Sequence, residues 1–354
     1  MKKNLCALAI GATLFSPVVA MAADVKVYGR AHVSLDYLDD GDNYNELGFS
    51  SNSSRLGFKA EKEFNGLTAF TQVETEVNFA QGSDADIAFA SRDTFVGLKG
   101  DFGQVRVGRF DSPFKVARGP VNFFGDMVGD IRNVLRAENH RFDERNPNTI
   151  EYKTPKVNGF VVAAALSLHE TALAGTAADS TTEKKGDDKK NQAYDISLTY
   201  KEGPLDFAAA YERYEEDATR GERDAIRVAA AYKIMPELNL GAIYQLSKHK
   251  VDTGRNADTS VYGVAADYQL TPKTSVRGQY MIRDVDSDNN SADLIALGVE
   301  HRLDSALRVY ANFATALNDS NSRITPWSQG RSNQVSAATG EDAMGLSVGM
   351  RYDF

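Results

Sequence analysis

Residues 345–354 read GLSVGMRYDF, and they alternate without a break to the last residue. Leu346, Val348, Met350, Tyr352 and Phe354 are apolar, whereas Gly345, Ser347, Gly349, Arg351 and Asp353 are small or charged. Successive side chains of a β-strand point to opposite faces, so this is a strand with one apolar and one polar face. The ends of water-soluble domains usually fray. A strand this regular at the end of a chain with 25% charged residues and a net charge of -9 needs a partner on each edge and an apolar surrounding for one face.

The same period runs through the chain. In VKVYGRAHVSLDYL, Val25, Val27, Ala31, Val33, Leu35 and Tyr37 share one face, and Lys26, Tyr28, Arg30, His32, Ser34 and Asp36 the other. Sixteen such segments can be read, joined alternately by short turns (EFNG, DFG, KVNG, EGP, MPE, TPK, LDS) and by longer polar loops at 39–52, 81–89, 111–146, 170–191, 216–222, 249–257, 286–291 and 318–341. The turns carry the Gly, Pro, Asn and Asp that tight reversals require. An even strand count with short turns at one end and long loops at the other is the layout of an outer-membrane barrel. In hydrocarbon an unpaired amide costs several kcal/mol, so such a sheet must close on itself, and GLSVGMRYDF should pair with the first strand. A soluble β-sandwich would also alternate; the hairpin count, the aromatics near strand ends and the terminal strand favour the barrel.

The first 22 residues read as a secretory signal: Lys2 and Lys3, the apolar LCALAIGATLF, then Ala20-Met21-Ala22 as a small-x-small cleavage site. The expected division is 1–22 signal peptide and 23–354 barrel, with 111–146 as a constriction loop. The one cysteine, Cys6, leaves with the signal, so neither disulfide nor thiol chemistry is expected. No apolar run reaches the length of a membrane helix, and no basic nucleic-acid footprint is present. The histidines, His32, His140, His169, His249 and His301, are dispersed over the strand map, and no G-x-S-x-G, H-E-x-x-H or P-loop motif occurs. The expectation is therefore no enzyme, no cofactor and no metal.

With the strands and turns in order, the chain resembles the general (non-specific) trimeric porins of the Gram-negative outer membrane. The resemblance spans the mature chain, through DVKVYGRAHVSLDY, SSRLGFKAEKEFNGLTAFTQVE, SRDTFVGLKGDFGQVRVGRFDSPF, NTIEYKTPKVNGF and the terminal Phe354. It implies an all-β fold, a 16-stranded antiparallel transmembrane β-barrel with a long third loop folded into the lumen. It also implies a homotrimer in contact with outer-membrane lipid and lipopolysaccharide, and passive diffusion of ions and small hydrophilic solutes. By motif position it implies a pore constriction of Arg30, Arg55, Arg92 and Arg109 on the wall facing Asp126 and Asp130 on the loop, whose Val121, Phe123, Phe124 and Met127 would pin it down. Tyr352 and Phe354 are implied as the closing girdle and assembly signal. Arg132, Arg136, Arg141 and Arg145 make the loop unusually basic for this pattern and leave ion preference open. Two alternatives stand beside this reading. A solute-specific porin would use a track such as Arg227, Arg277, Arg283 and Arg308, and an adhesin-like barrel would use the 170–191 and 318–341 loops, with Trp327 in the latter.

Overall fold

The computed structural model describes residues 24–80, 89–137, 142–168, 192–215, 221–250 and 258–354. The expected signal peptide, most of the 81–89 loop, residues 138–141 of the 111–146 loop with Arg141, the whole 170–191 loop and parts of the 216–222 and 249–257 loops lie outside the described residues. Among the described residues the strands are β1 (Asp24–Asp39), β2 (Asn45–Ser51), β3 (Arg55–Phe64), β4 (Leu67–Glu76), β5 (Thr94–Gly100), β6 (Gly103–Arg109), β7 (Thr149–Lys153), β8 (Phe160–Ser167) and β9 (Ala193–Glu202). They continue as β10 (Leu205–Tyr214), β11 (Arg223–Met235), β12 (Leu238–His249), β13 (Thr259–Thr271), β14 (Thr274–Val285), β15 (Ala292–Arg302), β16 (Leu307–Asn318) and β17 (Ala343–Asp353). Each segment pairs antiparallel with its neighbours, and β17 pairs back onto β1, so the sheet closes. Both β2 and β3 pair with β1 and form one interrupted strand, which makes the barrel sixteen-stranded.

The interruption is a correction to the sequence reading, which assigned 39–52 to a loop. The second strand already begins at Asn45. Val33 faces Ser51 in the first half and Arg30 faces Arg55 in the second, so one extra residue is accommodated between them. This is a β-bulge, centred on Ser53 at φ +51°. Side chains replace the lost ladder: His32 N–H donates to Ser54 Oγ, and Ser54 Oγ–H to the His32 carbonyl, both at 2.9 Å. The bulge reverses the alternation. Leu47 and Phe49 are exposed at odd positions before it, and Phe58 at an even position after it, which turns Arg55 to the same face as Arg30.

At the closing seam, Leu35 lies opposite Val348 and Arg30 opposite Asp353. In β17 every even position is exposed, Val348 by 65%, and every odd one is buried or half-buried. Phe354 completes the ladder: its N–H donates to Gly29 O at 3.1 Å and its carbonyl accepts from Gly29 N–H at 2.8 Å. The Phe354 ring occupies the space that a side chain at Gly29 would need.

The segment after β6 contains α1 (Pro113–Val116), a 3-10 turn (Gly119–Val121) and α2 (Arg132–Leu135). Ser112 starts α1, its Oγ accepting from Lys115 N–H at 3.2 Å, with Pro113 at the first helical position. This segment packs along the face of the wall opposite to the exposed apolar one. The wall positions beneath it are small: Ala193, Ala208 and Ala225 under Phe114 and Phe142, Ala229 and Ala265 under Val121 and Ile131, Ala296 and Ala314 under Phe124 and Val128. Alanines leave room on a face that would otherwise carry long polar side chains.

The seam predicts a coupled pair. Gly29→Leu should displace the Phe354 ring and lower stability by about 1–3 kcal/mol. Phe354→Ala should add little in the double variant, because both act on one contact. The urea midpoint of the folded barrel, read from its heat-sensitive gel mobility, measures both.

Candidate functional site

The site is assembled around Asp126 of the 111–146 segment. Asp126 has φ +64°, a left-handed conformation that Asp tolerates better than most residues. Its N–H donates to Asp130 Oδ2 at 2.7 Å. Its carboxylate accepts from Arg132 Nη2 at 2.6 Å, and lies 3.8 Å from the Arg30 guanidinium and 3.9 Å from that of Arg55. Burial works to raise the Asp126 pKa, but Arg132, then Arg55, hold it well below the ordinary carboxylate range.

The wall side continues through Glu74. It accepts from Arg92 Nε at 2.7 Å and from Tyr28 Oη at 2.8 Å, and lies 3.6 Å from Arg55. On the seam side Arg30 Nε donates to Asp353 Oδ1 at 2.7 Å, and Arg351 Nε to Asp353 Oδ2 at 2.8 Å. Arg30, Arg55, Arg92 and Asp126 thus belong to one charge network, although Arg92 joins it through Glu74 and is paired also with Glu76.

Two expected members lie elsewhere. Arg109 is exposed on the same face as Val105 and Val107. Arg106, three residues earlier, must point the opposite way in a strand; it is buried against the Phe110 ring and donates to Glu151 at 2.7 Å. Asp130 is buried, accepts from Arg132 N–H at 2.8 Å and pairs with the Arg132 guanidinium, so it shapes the segment rather than facing the wall.

Beside Asp126 is a cavity of about 290 Å³. Arg30, Arg277, Arg302, Arg308 and Arg351 line it, with Asp126, Asp267 and Glu300 as its acids. Of the four arginines read as a track, Arg277 and Arg308 reach this cavity. Arg227 is buried beneath the segment, donating to the Phe114 carbonyl at 2.9 Å and to Asp143 at 2.5 Å, and Arg283 is buried as well. Sequence reading missed Glu74, Arg132, Glu300, Arg351 and Asp353 as members; the inward parity of all but Arg132 was available in the alternation. Trp327, suspected as an external contact, is fully buried. His32 meets the Tyr310 hydroxyl at 2.9 Å, while His140 and His169 lie outside the described residues.

The profile of the Gram-negative porin family matches residues 7–321. The chain belongs to the Gram-negative porin family. It is 29% identical to outer membrane porin protein 32 of Delftia acidovorans, over the full length of both chains. It is 28% identical to the major outer membrane protein P.IB of Neisseria gonorrhoeae, covering 76% of this chain and 72% of that one. Among solved structures, the anion-selective porin from Comamonas acidovorans superposes with a TM-score of 0.81 at 23% identity, over 94% of this porin and 100% of that chain. The trimer form of OmpT from Vibrio cholerae matches at 0.65 and 20% identity, over 94% and 100%. The protein is an outer-membrane channel for passive diffusion, and its family is one of channels rather than enzymes.

Because Asp126 is held below the ordinary range, its contribution is complete above the unfolded carboxylate pKa of about 3.9 and fades only at still lower pH. The change in ion preference caused by Asp126→Asn should therefore be the same at pH 7 and pH 4. Arg55→Gln should shift the reversal potential, whereas Arg109→Gln, on the outer face, should leave it unchanged; salt-gradient recordings in planar bilayers read all three.

Proposed function

We propose that the 111–146 segment narrows the lumen, and that solutes pass through the cavity beside the cluster of Asp126 with the wall arginines Arg30 and Arg55. The supporting observation is the Asp126 carboxylate, 3.8 and 3.9 Å from two guanidinium groups that belong to different strands. Opposed charges across a narrow opening with low-dielectric walls make a transverse field that orients ordered water and dipolar solutes. Arg92 extends the positive side through Glu74; Arg109 and Asp130 are outside this proposal.

The preferred ions are anions. Five arginines against three acids around the cavity beside Asp126 support this, since fixed charge in a confined opening enriches the opposite sign. The solved relative described as anion-selective is consistent with the same preference. The overall charge of -9 does not oppose it, because much of the acidity lies in outer connections such as DDGDNYNE and DVDSDNNSAD.

The working form is a homotrimer, secreted with a cleaved signal peptide of residues 1–22 and embedded among lipid and lipopolysaccharide. Supporting the trimer, β5, β6 and β7 have 7, 7 and 5 residues, against 13 in β11 and β13. A tilted strand needs about 9–11 residues to cross the hydrocarbon, so this low arc of wall is better covered by another protomer than by lipid. Tyr352 and Phe354 serve as the girdle and assembly signal.

Purified porin in a planar bilayer should give long-lived conductance steps in groups of three, with a reversal potential of the sign for chloride over potassium. Arg308→Gln combined with Arg351→Gln should move that potential toward cations. A cation preference in the unaltered porin would overturn the anion reading, and absence of steps in threes would overturn the trimer.

A further inference from the structure

The two ends of the 111–146 segment return to the same place on the wall. At its start, Ser112 caps α1, and Phe114 N–H donates to Asp195 Oδ1 of β9 at 3.4 Å. The Ser112 side chain hydrogen-bonds to the same carboxyl group. At its end, Asn146 Nδ2 donates to Tyr214 Oη of β10 at 3.0 Å, and Tyr214 Oη donates to Glu212 Oε1 at 3.2 Å. Asp195 and Glu212 are direct cross-strand partners in the β9–β10 ladder. Asp195 is 4% exposed and Glu212 not at all. Phe114 and Phe142 cover the site, packed with Tyr214 over Ala193, Ala210 and Ala225.

The two carboxyl groups are hydrogen-bonded to each other. Asp195 Oδ1 and Glu212 Oε1 are taken by Phe114 and Tyr214, whereas Asp195 Oδ2 and Glu212 Oε2 are buried and receive no donor from another residue. A hydrogen bond between two carboxyl groups needs a proton on one of them, and two carboxylates in contact away from water repel strongly. Asp195 already accepts from Phe114 and Ser112, so the proton belongs on Glu212. The acids around the pair have their own cations: Glu151 of β7 is paired with Arg106 and Lys153, Asp143 with Arg118 and Arg227, and Glu144 with Arg136. Arg223 of β11, stacked on the Tyr214 ring at 3.9 Å, faces Glu212 and sets a positive charge beside the pair. One negative charge is matched there; a second is not.

We propose that Asp195 and Glu212 share a single proton, and that this proton latches both ends of the 111–146 segment to the wall. Hydroxide takes the proton as water, the Glu212 O–H bond breaks, and two carboxylates are left facing each other beneath Phe114. Their repulsion, and the water drawn in to solvate the second charge, loosen the Phe114 and Tyr214 attachments together. The segment then relaxes from the wall and the opening it narrows becomes wider. The pore is therefore sensitive to alkali through a site that solutes do not touch.

The latch rests on the reading that the 111–146 segment narrows the lumen, and the tests separate the two. Infrared spectra of the purified porin at about pH 8, where exposed carboxyl groups are ionised, should show a protonated-carboxyl band that Glu212→Gln lacks. Single-channel conductance should rise roughly 1.5-fold as the pH is raised from about 6 to about 10 and the band is lost. Lys115 of α1, lowered to about 8 by burial, titrates in the same range, so the rise is read against Glu212→Gln. The glutamine amide donates to Asp195 without a proton to lose. Glu212→Gln should keep the neutral-pH conductance and reversal potential and show no alkaline rise attributable to the pair. Should it fail to insert, Asp195→Asn is the second variant, and the infrared band of the unaltered porin needs no variant. Absence of that band at about pH 8 overturns the shared proton. Equal alkaline rises in the unaltered and variant channels, or no rise in the unaltered one, overturn the latch, while a shift of the reversal potential by Asp126→Asn keeps the constriction. If Asp126→Asn is silent although the band is present, the constriction falls and the shared proton stands.

Discussion

Every amide that crosses hydrocarbon must find its hydrogen bond inside the protein, and the rest of this porin follows from that requirement. An open sheet would leave a row of amides on each edge, so β17 has to return to β1. The seam then has a fixed register, and the register has chemical consequences. Arg30 faces Asp353 across it, and Arg351 lies on the same face, because Leu346, Val348, Met350 and Tyr352 are committed to the outside. Closure of the sheet and assembly of half of the charge network are one event. The terminal Phe354 belongs to the same event, its backbone pairing with Gly29 and its ring filling the gap left by a residue without a side chain.

A closed sheet of sixteen strands encloses more space than wall side chains can fill. In the described residues the 111–146 segment lies on a floor of alanines from β9–β16, and the turn around Trp327 packs on that segment. Two consequences follow for charge. Arg227 and Asp143 are buried as a pair that secures the segment to the wall. Asp126, by contrast, is only partly covered, with Arg132 holding one oxygen and the wall arginines beyond hydrogen-bonding distance on the other. The Asp126 pairs with Arg30 and Arg55 are thus longer and partly exposed, whereas the Arg227–Asp143 pair is fully buried.

The alternation made the strands legible, because an error of one residue would turn an entire apolar face away from lipid. It also put Arg30 on the polar face without any knowledge of the fold. The β2–β3 strand was harder to read: a single extra residue near Ser53 reverses the parity, and NELGFSS offers too few apolar positions to be recognised as a strand. Arg109 shows the limit of assigning residues by motif, since it stands three residues from Arg106 and the two cannot face the same way. Asp130 and Trp327 illustrate a second limit. Neither lies in a strand, so no period announces whether a carboxylate faces the wall or caps its own turn, or whether an indole faces water or the interior.

The sequence by itself determined the barrel: the strand number, which face meets lipid, and the pairing of the final residues with the first strand all follow from a two-residue period and from the cost of an unpaired amide in hydrocarbon. The positions of the alanines were visible too, though not their use. Only the tertiary structure decided which charges meet. Asp126 reaches Arg30 and Arg55 because two irregular segments stack upon each other and upon the wall, and because one bulge sets Arg55, which alternation with Leu56 and Phe58 already put on the polar face, directly opposite Arg30. Irregular segments are positioned by contacts between residues far apart in the chain, and a local repeat carries no record of those contacts.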